Sequence, residues 1–187
     1  MGTKEGLIEV AEDISREFGY NGFSFRDIEQ RVGIRSASIH HHFKTKADLG
    51  RAILNAYKEH YLSAVQSIER ASGSAPVALV NFFELMKRSL RGGARGCLCS
   101  MFAAESASLP PEVRLGVKEV YVEIEGWLAK LLERGRNEGG FIFSGDAALV
   151  SRAMFACLQG GMVSSMLFQD VGRFDEVCEV QLQLVGV

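Results

Sequence analysis

The segment Arg35-Ser36-Ala37-Ser38 carries side chains suited to the edges of base pairs. In a major groove, arginine can pair with guanine, serine with several edges, and alanine can touch a thymine methyl. Arg26, His40, His41, Lys44 and Lys46 surround the segment. They are placed to hold phosphates, contacts that supply affinity and register without reading sequence.

Other groups that could do chemistry form weaker patterns. His40, His41 and His42 are consecutive, and neighbours on a helix point about 100° apart, so only one or two could share an ion. Cys97 and Cys99 are separated by a single residue, too close for a zinc pair, and no second pair follows. Neither a metal nor a cofactor is expected. Cys97 follows Gly92-Gly93-Ala94-Arg95-Gly96. In the first turn of a helix and beside Arg95, its thiol would ionise more easily and could meet an electrophile, with Cys99 as resolving partner. The other reading is a buried, inert thiol, and Cys157 and Cys178 are expected in a core or an interface. No nucleophile elbow, Gly-rich phosphate loop or paired-carboxylate framework occurs, so no enzyme is expected.

For the Arg35–Ser38 side chains to face one way, they must stand on a helix anchored from behind. Phe25, Ile28, Val32, Ile34, Ile39 and Phe43 supply the anchors and Gly33 the turn, a helix-turn-helix arrangement. Ser24 with Asp27, and Thr45 with Asp48, are capping-box pairs that start the helices on either side. Their first-turn amides add anion sites. Before them, Leu7, Ile8, Val10, Ala11, Ile14 and Phe18 fall at helical spacing and Gly19 stops the run.

The remaining chain also reads as helices: Thr45 to about Ala71, Pro76 to about Leu90, Cys97–Ser108, Pro111–Glu138, Asp146–Phe168 and Phe174–Val185. The expected fold is all-α, with no convincing strand. The Ala147–Phe168 stretch is mostly apolar, but Arg152, Gln159, Ser164 and Ser165 interrupt it. It reads as a core or interface helix rather than a membrane span.

A net charge of -2 excludes a surface coated in basic residues. Any positive face must be small and local, with the acids Glu9, Glu12, Asp13 and Glu17 set elsewhere. The first residues carry no secretory pattern, and a cytoplasmic location is expected.

The run Gly19…Gly22-Phe23-Ser24-Phe25-Arg26-Asp27-Ile28…Gly33-Ile34…Ile39-His40-His41-His42-Phe43…Lys46…Leu49 resembles the TetR family of bacterial regulators. Gly96-Cys97-Leu98…Glu105…Leu109-Pro110 resembles one subset of that family. The resemblance implies a three-helix DNA-binding domain (residues 1–45) and a larger helical ligand-binding and dimerisation domain (46–187). It implies a homodimer on a palindromic double-stranded operator. The base-reading positions fall on Arg35, Ser36, Ala37 and Ser38, and the phosphate-holding ones on Arg26, His40, His41 and Lys46. Two positions depart from the family pattern: Glu29 replaces a small residue where helices cross, and His40 replaces a tyrosine.

Tyr61, Phe82, Met86, Cys97, Met101, Phe102, Trp127 and Met154 are the candidates to line an effector cavity, since pockets between helices are apolar. Glu105 and Arg152 stand as charges among apolar residues, which reads as an exposed edge or an ion pair. The C-terminal helices are the expected dimer surface, with Gly160 and Gly161 allowing close approach. The expected function is a repressor released from its operator by a small apolar or electrophilic ligand. The alternatives are an activator, or a ligand-binding helical protein without DNA binding.

Overall fold

Two reciprocal capping boxes fix the front of the chain. Ser24 donates its backbone N–H to Asp27 Oδ2 at 2.7 Å, and Thr45 donates its own to Asp48 Oδ2 at 2.9 Å. The Asp48 N–H returns to Thr45 Oγ1 at 3.0 Å. Each box satisfies donors that a helix start would otherwise leave unpaired. The hydrogen bonds from Ser24 also hold the exposed Asp27 carboxyl below its ordinary pKa.

The computed structural model describes residues 3–33, 36–90 and 95–187, with only the backbone of Ser36. Among the described residues the elements are α1 (Lys4–Phe18), α2 (Phe25–Val32), α3 (Ser36–His42), α4 (Lys46–Ala71), α5 (Ala75–Ser89), α6 (Leu98–Ala104), α7 (Pro111–Asn137), α8 (Ala147–Phe168) and α9 (Gly172–Leu184). No strand occurs among them. The fold is all-helical, as expected.

The chain divides into two compact units, Met1–Tyr61 with Leu98–Val120, and Leu62–Cys97 with Tyr121–Val187. Helices α4 and α7 each contribute to both. In the first unit Leu7, Ala11 and Ile14 of α1 are buried, with Ile28 of α2, Ile39 of α3 and Phe43. Gly19 ends α1 at φ +76° and Gly33 ends α2 at φ +74°, left-handed values that favour glycine. In the second unit α8 packs on α9, where Gly161 lies against Val177 and Phe174. Phe141 fills the space beside Gly135, which a β-carbon would occupy.

Two expectations need correction and one is narrowed. The helix read over Cys97–Ser108 covers only Leu98–Ala104. Glu105 and Ser106 donate their N–H groups to Phe102 and Ala103 carbonyls three residues back, so the backbone tightens into a turn. Cys157 is exposed within its own chain, which excludes the core and leaves the interface of its two expected places. Gly161 is covered by α9 of its own chain, so only Gly160, with open space beyond its α-carbon, remains outward.

Helix α8 is long and apolar enough to cross a membrane by length and composition, and 44% of its most apolar window is buried within the chain. Its outward residues Leu149, Ala153, Ala156, Gly160, Val163 and Leu167 alternate steps of four and three. That spacing is the heptad pattern of a helix seam.

Candidate functional site

Helix α3 presents an apolar side inward and a polar side outward. Ile39 is buried while Ala37, Ser38, His40, His41 and His42 are exposed. The His40 ring meets Phe25 edge-on at 4.8 Å, and the His41 and His42 rings lie 5.3 Å apart. Arg35 and the anchor Ile34 lie outside the described residues, as do Gly92, Gly93 and Ala94 of the glycine-rich run. Arg26 is exposed in the first turn of α2. Glu29 is half-buried at the α2 crossing position.

Lys46 is held in a way the sequence did not disclose. Its ammonium lies 4.7 Å from the Tyr20 ring centre and 4.5 Å from that of Phe23. Burial pushes its pKa down, against the opposing pull of the Glu105 and Asp27 carboxylates. The ring faces attract the cation, so the side chain fastens the start of α4 to the turn between α1 and α2.

That turn is held from a second side. Glu105 Oε2 accepts the Asn21 backbone N–H at 2.9 Å, and Asn21 Nδ2 donates to Ser108 Oγ at 2.8 Å. Tyr20 meets Phe102 of α6 edge-on at 5.4 Å. Phe102, an effector-cavity candidate, therefore packs against the turn between α1 and α2 within the first unit. Tyr61 and Met101 also fall in that unit.

The other candidates, Phe82, Met86, Cys97, Trp127 and Met154, fall in the second unit. The Phe82 and Trp127 rings meet at a tilt with their centres 5.1 Å apart, and Met86 and Met154 are buried. Cys97 is buried and accepts a hydrogen bond from Gln159 Nε2 at 3.3 Å. In the sequence Gln159 stands only as an interruption of an apolar helix. Arg152 pairs with Glu125 at 3.7 Å and is mostly exposed. An open groove of about 460 Å³ on the head is lined by Ile14, Phe18, Gly22, Asp27, Gln30 and Arg31, none of them an effector candidate. Among the described residues no group of three or more His, Cys, Asp or Glu could hold a metal ion.

A family model described as "Bacterial regulatory proteins, tetR family" matches residues 7–53. A second, "Tetracyclin repressor-like, C-terminal domain", matches residues 77–180, more than half of the chain. The protein belongs to the TetR family. It is thus a DNA-binding transcriptional regulator with a helix-turn-helix head and a TetR-like C-terminal domain, in a family of regulators rather than enzymes.

The chain is 23% identical to the transcriptional regulator AcuR of Cereibacter sphaeroides, over 87% of this chain and 76% of the relative. It is 20% identical to the transcriptional repressor NemR of Escherichia coli K12, over 88% of this chain and 84% of that one. The crystal structure of a TetR-family regulator from Agrobacterium tumefaciens superposes with a TM-score of 0.93 at 28% identity, covering 98% of this chain and 97% of the other.

Proposed function

We propose that this regulator is a homodimeric bacterial repressor in the cytoplasm. It leaves a palindromic double-stranded operator when a small, largely apolar ligand binds its C-terminal body. The observation that carries this reading is the outward polar face of α3, set on buried Ile39 and Phe43 and flanked by the capped start of α4. Residues 1–45 form the DNA-binding domain and 46–187 the ligand-binding and dimerisation domain. Arg35, Ser36, Ala37 and Ser38 read bases, while Arg26, His40, His41 and Lys46 hold phosphates.

Dimerisation is supported by the outward heptad face of α8 and by exposed Val180 and Leu184 on α9, an apolar surface that a second copy would cover. In a two-fold dimer the reading helices must stand about 34–36 Å apart, one DNA turn, or a multiple of it. A ligand that prefers another spacing lowers DNA affinity, and DNA lowers ligand affinity by the same factor, with a coupling of about 1–3 kcal/mol. Helix α4 is the lever, because it starts beside the reading helix and runs into the second unit. Repression, rather than activation, is supported by the repressor NemR among the relatives. An electrophilic ligand is the second form of this reading. The Gln159 amide N–H directed at Cys97 sulfur favours it, since such a donor stabilises a thiolate.

The test is selection of bound fragments from a library of bacterial promoter DNA. A two-fold symmetric consensus, lost in Arg35→Ala, is expected. No enrichment of any sequence would overturn the reading.

A further inference from the structure

Gln159 is 6% exposed, in a helix whose residues one turn away on the same face, Phe155 and Met162, are buried and apolar. Its Nε2 is engaged with Cys97 Sγ, so one end of the amide is fixed. Its Oε1 is buried without a hydrogen-bond partner. An amide oxygen left unpaired in an apolar interior is costly, and a methionine of similar shape would avoid that cost. A buried water needs about two to four polar partners. Gln159 Oε1 is one such partner, and the Cys97 sulfur is already engaged with Nε2.

Resting on the reading of the C-terminal body as an effector domain, we propose that Gln159 Oε1 is the polar anchor of the effector site. It accepts a hydrogen bond from an O–H or N–H of the effector. The ligand class is then a small alcohol, protonated acid or amide on an apolar body, bound reversibly beside Cys97. Trp127 Nε1 is also buried and unpaired but stands elsewhere. Tyr121 on Phe155 and Arg152 on Glu125 set α7 and α8 antiparallel. Trp127 is thereby level with α8 residues near 150, about 14 Å along the axis from Gln159 at about 1.5 Å per residue.

Two isomeric probes isolate the donor: hexan-1-ol, and methyl pentyl ether, which has the same atoms without the O–H. Titration calorimetry on the full-length protein should show the alcohol binding at least tenfold more tightly. Gln159→Met should abolish that preference while keeping the helical circular-dichroism spectrum. Equal binding of alcohol and ether, a preference unchanged in Gln159→Met, or no binding of either probe would overturn the proposal. The comparison of isomers on the unaltered protein decides it even where the variant does not fold. DNA binding is measured in parallel without probe. Its absence in the unaltered protein would count against the regulator reading, whereas a failed probe comparison with DNA binding intact counts against Gln159 alone.

Discussion

Glu105 and Asn21 are joined by a 2.9 Å hydrogen bond from the Asn21 backbone N–H to Glu105 Oε2, between residues 84 apart in sequence. The other carboxylate oxygen lies where a side chain at Gly19 would begin: a β-carbon there would sit 2.5 Å from Glu105 Oε1. A glycine of positive φ and a distant carboxylate thus share one small space, and the turn between α1 and α2 is shaped by both.

Gly19→Ala should lose about 1–3 kcal/mol through its backbone conformation alone, and more through the clash with Glu105. Glu105→Ala should cost about 1 kcal/mol, since the freed Asn21 N–H can reach water. In the double variant the clash is gone, so the two losses should sum to more than the combined loss. Urea unfolding of the four proteins measures this coupling. Simple additivity would show that the two residues do not share the space.

The helices were legible because their signals are local. Ser24 with Asp27 and Thr45 with Asp48 state their helix starts within four residues, and Gly19 and Gly33 state two ends. The apolar inner side of α3 was legible for the same reason, since buried Ile39 and Phe43 mark it within one turn. Glu105, Lys46 and Gln159 were not legible. Each is a single polar residue whose partner lies at least 23 residues away, as with Lys46 and Phe23, and no periodicity records such a pairing. Helix α6 was read too long because Glu105, Ser106 and Ala107 are compatible with a helix by type. The Glu105 and Ser106 N–H groups bond to carbonyls three residues back, and this, with the use of the Glu105 carboxylate by Asn21, ends it earlier. Gly161 was read as an interface residue because adjacent glycines look alike in sequence, although on a helix they face about 100° apart.

Lys46 is expected to serve both stability and DNA. Lys46→Met keeps the length of the side chain and removes its charge. It should cost about 1 kcal/mol of stability through the two ring contacts. It should also weaken binding to all DNA sequences and flatten the salt dependence by about one unit, as for a lost phosphate contact. Arg35→Ala should instead relax preference at one base position and cost about 1–3 kcal/mol. Fluorescence anisotropy over a range of salt concentrations separates them. An unchanged slope for Lys46→Met would confine that residue to a structural role.

The adjacent glycines of α8 should respond in opposite ways. Gly161→Ala places a β-carbon 3.2 Å from Val177 Cβ, so α8 and α9 must separate slightly and the melting temperature should fall. Gly160→Arg meets open space in its own chain and should leave the helical content intact. On the dimer reading it puts an uncompensated charge into the α8 seam, which is strongly unfavourable. Sedimentation should then give a dimer for the unaltered protein and a monomer for Gly160→Arg, with operator affinity lost. A monomeric unaltered protein at micromolar concentration would reject this interface.

The four cysteines provide the last prediction, because their surroundings differ sharply. Cys157 is exposed on α8, Cys97 and Cys99 are buried, and Cys178 is half-buried on α9. Burial, with the Asp175 and Glu84 carboxylates nearby, pushes the Cys178 thiol up to about 12. Only a thiolate attacks iodoacetamide, so at pH 8 Cys178 is held in its unreactive form. Cys97 and Cys99 are shielded by packing. Mass spectrometry of native protein labelled at pH 8 should therefore find Cys157 modified first. Cys178, Cys97 and Cys99 should follow only on the timescale of unfolding. Raising the pH from 8 to 9 should leave Cys178 almost unmodified, because both values lie well below about 12. If Cys97 labels faster than Cys157, and Cys97→Ser no longer releases DNA in response to inducer, the ligand is electrophilic and its capture is covalent. A Cys97→Ser protein that responds normally leaves reversible recognition beside Gln159 as the mechanism.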